Sequence, residues 1–152
     1  MTKFIHTYAT ALGVATASAV EAKDAMSVRF EIPLAIGVNG GRVENAILID
    51  YASANADMRL HLFHSQPSAY VTGATFVLAN ADDDKYLGFI DFTVWASAGT
   101  SKMVAQSTAP GVAVYGTGGT RSVWGVMEAR ENLTAGAYDD PFRFGFTIEQ
   151  DR

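Results

Sequence analysis

The chain of 152 residues contains no cysteine. Disulfides, thiolate nucleophiles and cysteine-based zinc sites are thereby excluded, and stability must come from packing or assembly. Charge is also scarce, at 18% of residues, and the net charge is −5. The basic residues are scattered singly, never in a run, which argues against nucleic acid as a direct ligand, because neutralising phosphates takes clustered Lys and Arg. No apolar run approaches the ~20 residues of a membrane span. Residues 3–20, KFIHTYATALGVATASAV, imitate a signal peptide, but His6, Thr7, Tyr8 and Thr10 interrupt its would-be apolar core.

What the chain does have is a period of two. Val28, Phe30, Ile32 and Leu34 alternate with Arg29, Glu31 and Pro33. Met58, Leu60 and Leu62 share one face, with Arg59, His61 and Phe63 on the other. Ile90, Phe92 and Val94 oppose Phe89, Asp91, Thr93 and Trp95. Val123 and Met127 oppose Trp124 and Val126, and Phe142, Phe144, Phe146 and Ile148 line one side of the last run. Such alternation marks half-buried antiparallel strands. Weaker strands are expected at 43–51, 103–107 and 112–115. Turn residues separate them: Asn39-Gly40-Gly41, Ala52–Asp57, Gly99, Pro110-Gly111, Gly116–Gly119 and Gly136. The expected fold is an all-β, antiparallel β-sandwich of jelly-roll type. Residues 1–20 form an extended N-terminal arm or edge strand, and 21–152 a single sandwich domain. Pro33 places its strand at a sheet edge or a bulge. A short helix is expected at 18–26.

The run NADDDKYLG, residues 80–88, raises the question of a cation site. A calcium loop of the EF-hand type needs spaced acids, a glycine at position 6 and a glutamate at position 12. Counting from Asp82, those positions hold Leu87 and Thr93. The alternative is a short helix capped by Asn80 or Asp82 and ended by Gly88, with Leu87 plugging one end of the sandwich and the acids facing water or a partner. His61 and His64 are an odd number of residues apart on a strand, so they point to opposite faces and cannot chelate one metal together. No serine lies in a G-x-S-x-G elbow, and GTGGT at 116–120 lacks the lysine and helix of a phosphate loop. No catalytic residue, metal ligand or cofactor follows from these motifs. The aromatics Tyr51, Tyr70, Tyr86, Trp95, Tyr115, Trp124 and Tyr138 would suit a sugar-binding surface if exposed, but packing accounts for them more simply.

One resemblance rests on specific residues. Leu60, Leu62, Phe63, Pro67, Phe76, Leu78, Ala79, Ala81, Asp82, Lys85, Leu87 and Gly88 fall on a pattern L-x-L-F, a turn with proline, then F-x-L-A-x-A-D-x-x-K-x-L-G. Trp124, Gly125, Val126, Met127, Ala129 and Arg130 fall on a second one near the end. Over roughly 42–150 the chain resembles small head decoration (cement) proteins of tailed bacteriophages. The resemblance implies a virion protein on the capsid surface, made in the host cytoplasm, that clamps neighbouring subunits of the major capsid protein. It implies no enzyme activity. A homo-oligomer, trimers at local threefold positions for instance, is the matching assembly. The contact residues expected on the N-terminal segment are Phe4, Ile5, Tyr8 and Leu12. The competing readings are a carbohydrate-binding β-sandwich module, a tail or neck structural protein and, with least support, a small hydrolase using Asp82–Asp84, His61 or His64.

Overall fold

Strands form where apolar side chains alternate, because only that spacing lets one face of an extended chain enter a core. The computed structural model describes residues 3–11, 20–34, 40–50, 55–100, 102–108, 110–115, 122–133 and 142–150. Ten strands run through them: β1 (Lys3–Ala11), β2 (Phe30–Pro33), β3 (Gly40–Asp50), β4 (Met58–Phe63), β5 (Tyr86–Phe92), β6 (Trp95–Ser97), β7 (Met103–Thr108), β8 (Ala113–Tyr115), β9 (Ser122–Ala129) and β10 (Phe142–Gln150). One sheet has the order β1-β10-β3-β7-β6, with β8 also on β3, and the other the order β2-β9-β4-β5. All of these pairings are antiparallel.

The pairing is nested. β1 pairs with β10, β2 with β9, β3 with β7 and β8, and β4 with β5, while β10–β3 and β9–β4 join the nested pairs side by side. A long hairpin rolled into two facing sheets gives this order, which is the jelly roll. The core lies between the sheets. Leu48, Met58, Leu60, Leu62, Phe92 and Met127 are wholly buried there, and Phe144, Phe146 and Ile148 nearly so. Burying each such side chain contributes roughly 1.5–3 kcal/mol. Gly125 makes room for this packing, since a Cβ there would come within 2.8 Å of the Phe30 ring and 3.0 Å of Leu60.

β1 pairs with β10 along its whole length, from Lys3 opposite Gln150 to Ala11 opposite Phe142, so this part of the N-terminal segment is an edge strand of its own sheet. Pro33 ends β2, the edge strand of the smaller sheet, where its missing N–H leaves no gap in an inner ladder. The alternation from Phe89 to Trp95 does not make one strand. β5 ends at Phe92, Val94 is exposed, and Trp95 opens β6 in the other sheet.

The helix expected at 18–26 is absent from its described part. Residues 20–26 instead lie along the end of β9 and the residues after it, with a turn at 22–23: Val20 bridges Leu133, Ala25 bridges Glu128, and the Met26 N–H donates to the Met127 carbonyl at 2.7 Å. Backbone pairing to an existing strand outweighs the weak helix preference of an apolar-poor stretch. Gly40 and Gly41, expected in a turn, open β3 instead. Gly41 lies so close to β10 that a Cβ would sit 2.3 Å from the Glu149 carbonyl oxygen.

Candidate functional site

Residues 64–85, between β4 and β5, fold as a flap over the outer face of the smaller sheet and build a second, smaller core. Phe63 and Val126 are buried beneath it, packed with Tyr70, Phe76, Leu78, Tyr86 and Trp124. The polar face of β4 is therefore not a solvent face. Arg59, His61 and Phe63 point outward from the sandwich, yet His61 is 5% exposed and Phe63 fully buried.

The flap is pinned by one carboxylate. Asp82 is wholly buried and accepts the Ser68 N–H at 2.9 and 3.1 Å, the Tyr70 hydroxyl at 3.0 Å and the Lys85 ammonium at 3.0 Å. Burial opposes its ionisation, but the Lys85, Ser68 and Tyr70 donors outweigh burial and hold the carboxyl below its ordinary value. This corrects the expectation that the acids of NADDDKYLG face water. Asp83 and Asp84 do, and Asp82 does not. The expected capped helix is a single 3-10 turn over Asn80–Asp82 with no side-chain cap. Gly88 does not end a helix. It lies in β5 at φ +124°, beside a bulge in which Leu62 pairs with Gly88 and Phe63 with Tyr86, leaving Leu87 as the extra residue. Leu87 packs against the main core, as a plug would.

Under the flap runs a chain of titratable groups. His61 Nε2 is 2.5 Å from Glu128 Oε2, and His61 Nδ1 is 2.9 Å from the Tyr86 hydroxyl. Arg130 donates to the other Glu128 oxygen at 2.7 Å. A carboxylate only accepts, so Nε2–H donates to Glu128, and Nδ1 accepts the Tyr86 O–H. The Phe76 ring stacks on the imidazole with centroids 4.0 Å apart. Burial pushes the His61 pKa below its ordinary value despite Glu128, and pushes the Tyr86 phenol up to about 12. Both shifts favour the neutral imidazole and neutral phenol that this bonding needs. Beside the chain, Arg59 makes a two-pronged pair with Asp91 at 2.7 and 3.0 Å and lies 3.8 Å over the Phe89 ring.

These contacts were missed on the sequence because they are cross-strand. Arg59 on β4 stands opposite both Asp91 on β5 and Glu128 on β9, and His61 stands two residues further along the same face. Knowing the β9–β4–β5 order would have brought them together, but the order is not written in any one strand. His64 points elsewhere, as its odd spacing requires: its Nε2 meets the Asp84 carbonyl at 2.9 Å and its ring stacks on Tyr115. His61 and His64 are thus not brought together. No group of three or more His, Asp or Glu side chains among the described residues is placed to hold a metal.

An acid–base pair therefore exists, but Phe76 covers it, and its nitrogens and oxygens are engaged within the protein. The flap meets this arrangement through the Phe76 ring. The aromatics are similarly occupied. Tyr70, Tyr86 and Trp124 pack in the second core and Trp95 against the main one, whereas Tyr115 is 44% exposed. Tyr51 and Tyr138 lie outside the described residues. Of the N-terminal contact residues, Phe4, Ile5 and Tyr8 lie on β1 at register positions opposite Glu149, Ile148 and Gly145, and Leu12 lies outside the described residues. No described helix is long and apolar enough to cross a membrane. No protein-family model matches the chain, and no curated protein matches its sequence.

Proposed function

We propose that this protein is a structural virion protein of a tailed phage that binds the outer capsid surface and clamps neighbouring major capsid subunits. The observation that carries the reading is the use to which the reactive side chains are put. Asp82 is spent on bonds within the flap, and His61, Glu128 and Tyr86 on bonds to one another beneath the Phe76 ring, while the flap turns exposed Val71 and Val77 outward. Such a surface suits binding through many modest contacts, repeated around a lattice so that avidity supplies the strength. The pattern at residues 60–88 and 124–130 supports the same reading, since its matching positions include Phe76, Leu78 and Asp82 of the flap and Phe63 beneath it. The protein acts as a homo-oligomer of closed symmetry at the capsid surface.

The test is saturable binding of purified protein to shells of the major capsid protein assembled without it. Saturation at a fixed ratio to capsid subunits supports the proposal. Absence of binding to heads, with binding to purified tails or necks, moves the protein to those structures. A glycan-array hit in place of any virion binding would favour the carbohydrate module.

A further inference from the structure

An edge strand templates pairing with another chain unless it is short, bulged or interrupted by proline. The described edges of this sandwich are blunted in those ways, with one exception. β6 and β8, on one side of the larger sheet, have three residues each. β2 has four and ends in Pro33. β5 carries the bulge at Leu87 and Gly88 at φ +124°. β1 differs from all of these. It is nine residues long, contains no proline, glycine or acidic residue, and keeps a continuous register on β10 from Lys3 opposite Gln150 to Ala11 opposite Phe142. At ~3.4 Å per residue it offers about 30 Å of backbone. Among the described residues nothing pairs with its other side.

The strand is also matched to a copy of itself. The chain has 16 acidic residues and a net charge of −5, yet no acid lies on β1, and its one Lys, Lys3, sits at the very end. An antiparallel pair of β1 strands with its two-fold axis at Thr7 uses all nine residues of each. It sets Thr7 against Thr7, His6 against Tyr8 and Lys3 against Ala11. Thr–Thr and aromatic pairs are favourable cross-strand neighbours, and no like charges meet.

We infer that β1 is a dimerisation edge, and that its partner is β1 of a second copy of this chain, antiparallel about Thr7. The two larger sheets then run on as one. The short β6 at the far end of that sheet offers no second long edge, so the contact closes at two copies and does not grow into a fibre. A strand from a different protein would gain the same backbone bonds, but nothing would require β1 to match itself about its own centre. The inference goes beyond the capsid-binding reading and does not depend on it. It sets the stretch that holds Phe4, Ile5 and Tyr8 against a second copy of the chain and not against the shell.

The test uses the free, full-length protein. Sedimentation of the wild type across the micromolar range is expected to show a monomer–dimer equilibrium. Because the chain has no cysteine, Thr7→Cys supplies a single thiol. Opposed residues of an antiparallel pair lie about 4.5–5.5 Å apart at Cα, within reach of a disulfide, so mild oxidation should give a covalent dimer. Lys3→Cys alone should give none, since Ala11 stands opposite. His6→Glu/Tyr8→Glu sets glutamates against each other twice and is expected to weaken the dimer roughly tenfold or more. Its urea midpoint, taken where the wild type is monomeric, establishes that it is folded, and the cross-link decides the matter if it is not. A wild type that stays monomeric or forms trimers overturns the inference. So does a dimer that Thr7→Cys fails to cross-link or that a folded His6→Glu/Tyr8→Glu leaves unchanged. Each of these results leaves the capsid-binding reading standing, which fails only if the protein ignores capsid shells.

Discussion

Replacing Asp82 with alanine should loosen the flap while leaving the sandwich intact. The carboxylate is wholly buried and is the acceptor for Ser68 N–H, the Tyr70 hydroxyl and Lys85 Nζ, all at 2.9–3.1 Å. Its removal takes the acceptor from a half-buried hydroxyl and backbone donor and deprives Lys85, 28% exposed, of its ion-pair partner. Water can reach the ammonium left behind, so the loss falls short of the top of the buried-pair range and should be about 2–4 kcal/mol, a large share of the ~5–15 kcal/mol that holds a typical domain. Asparagine keeps the shape and one acceptor oxygen but loses the charge, and should cost about 1.5–3 kcal/mol. Urea unfolding followed by tryptophan fluorescence measures both, and limited proteolysis within residues 65–81 reports the local opening. The pH dependence gives a second signature. The Asp82 pKa is lowered in the folded protein, so its stabilisation is complete above the unfolded value near ~3.9 and is lost as pH falls through the folded value. Asparagine at this position should remove that part of the acid limb. A loss below about 1 kcal/mol for alanine, well under the buried-pair range, with no new cleavage in the flap, would refute the role given to this carboxylate.

Three further outcomes follow from named contacts. His61 has its pKa lowered by burial, so the unfolded chain takes up a proton that the folded one resists, and stability should decline as pH falls from about 6.5 toward 5; His61→Gln should flatten that slope in urea midpoints taken across the range. Tyr86→Phe leaves His61 Nδ1 buried without its donor and should cost about 1–3 kcal/mol by thermal or urea unfolding. Gly41→Ala drives a Cβ into the Glu149 carbonyl and should cost about 3 kcal/mol, the upper part of the overpacking range, whereas Gly73→Ala, at φ +79° with open space around it, meets only the left-handed backbone penalty of roughly 1–2 kcal/mol; equal losses at the two glycines would contradict the close approach of β3 and β10.

The two-residue period made the strands and their inner faces readable. Met58, Leu60 and Leu62, or Phe144, Phe146 and Ile148, declare their burial by spacing alone, and Pro33 declares its edge. What failed to show was anything depending on a segment returning over a sheet. His61 and Phe63 sit on the polar side of an alternating strand and are nonetheless buried, because a long connection with its own aromatics covers them. The same return turns Asp82 inward, although three consecutive aspartates read as the outward face of a short capped helix. Residues 20–26 lack strand alternation and still bridge to the chain at and after the end of β9 on either side of a turn, because β9 offers them partners. The Tyr86–His61–Glu128–Arg130 chain assembles from three strands whose order is a property of the topology, and no local motif encodes it.

The central claim, a jelly roll seated on a capsid lattice, is tested most directly by a cryo-electron-microscopy map of the mature virion of the phage that encodes the chain. The account predicts jelly-roll density on the outer head surface in a fixed ratio to the major capsid protein. Heads with no such density, together with absence of the chain from the purified particles, would contradict it.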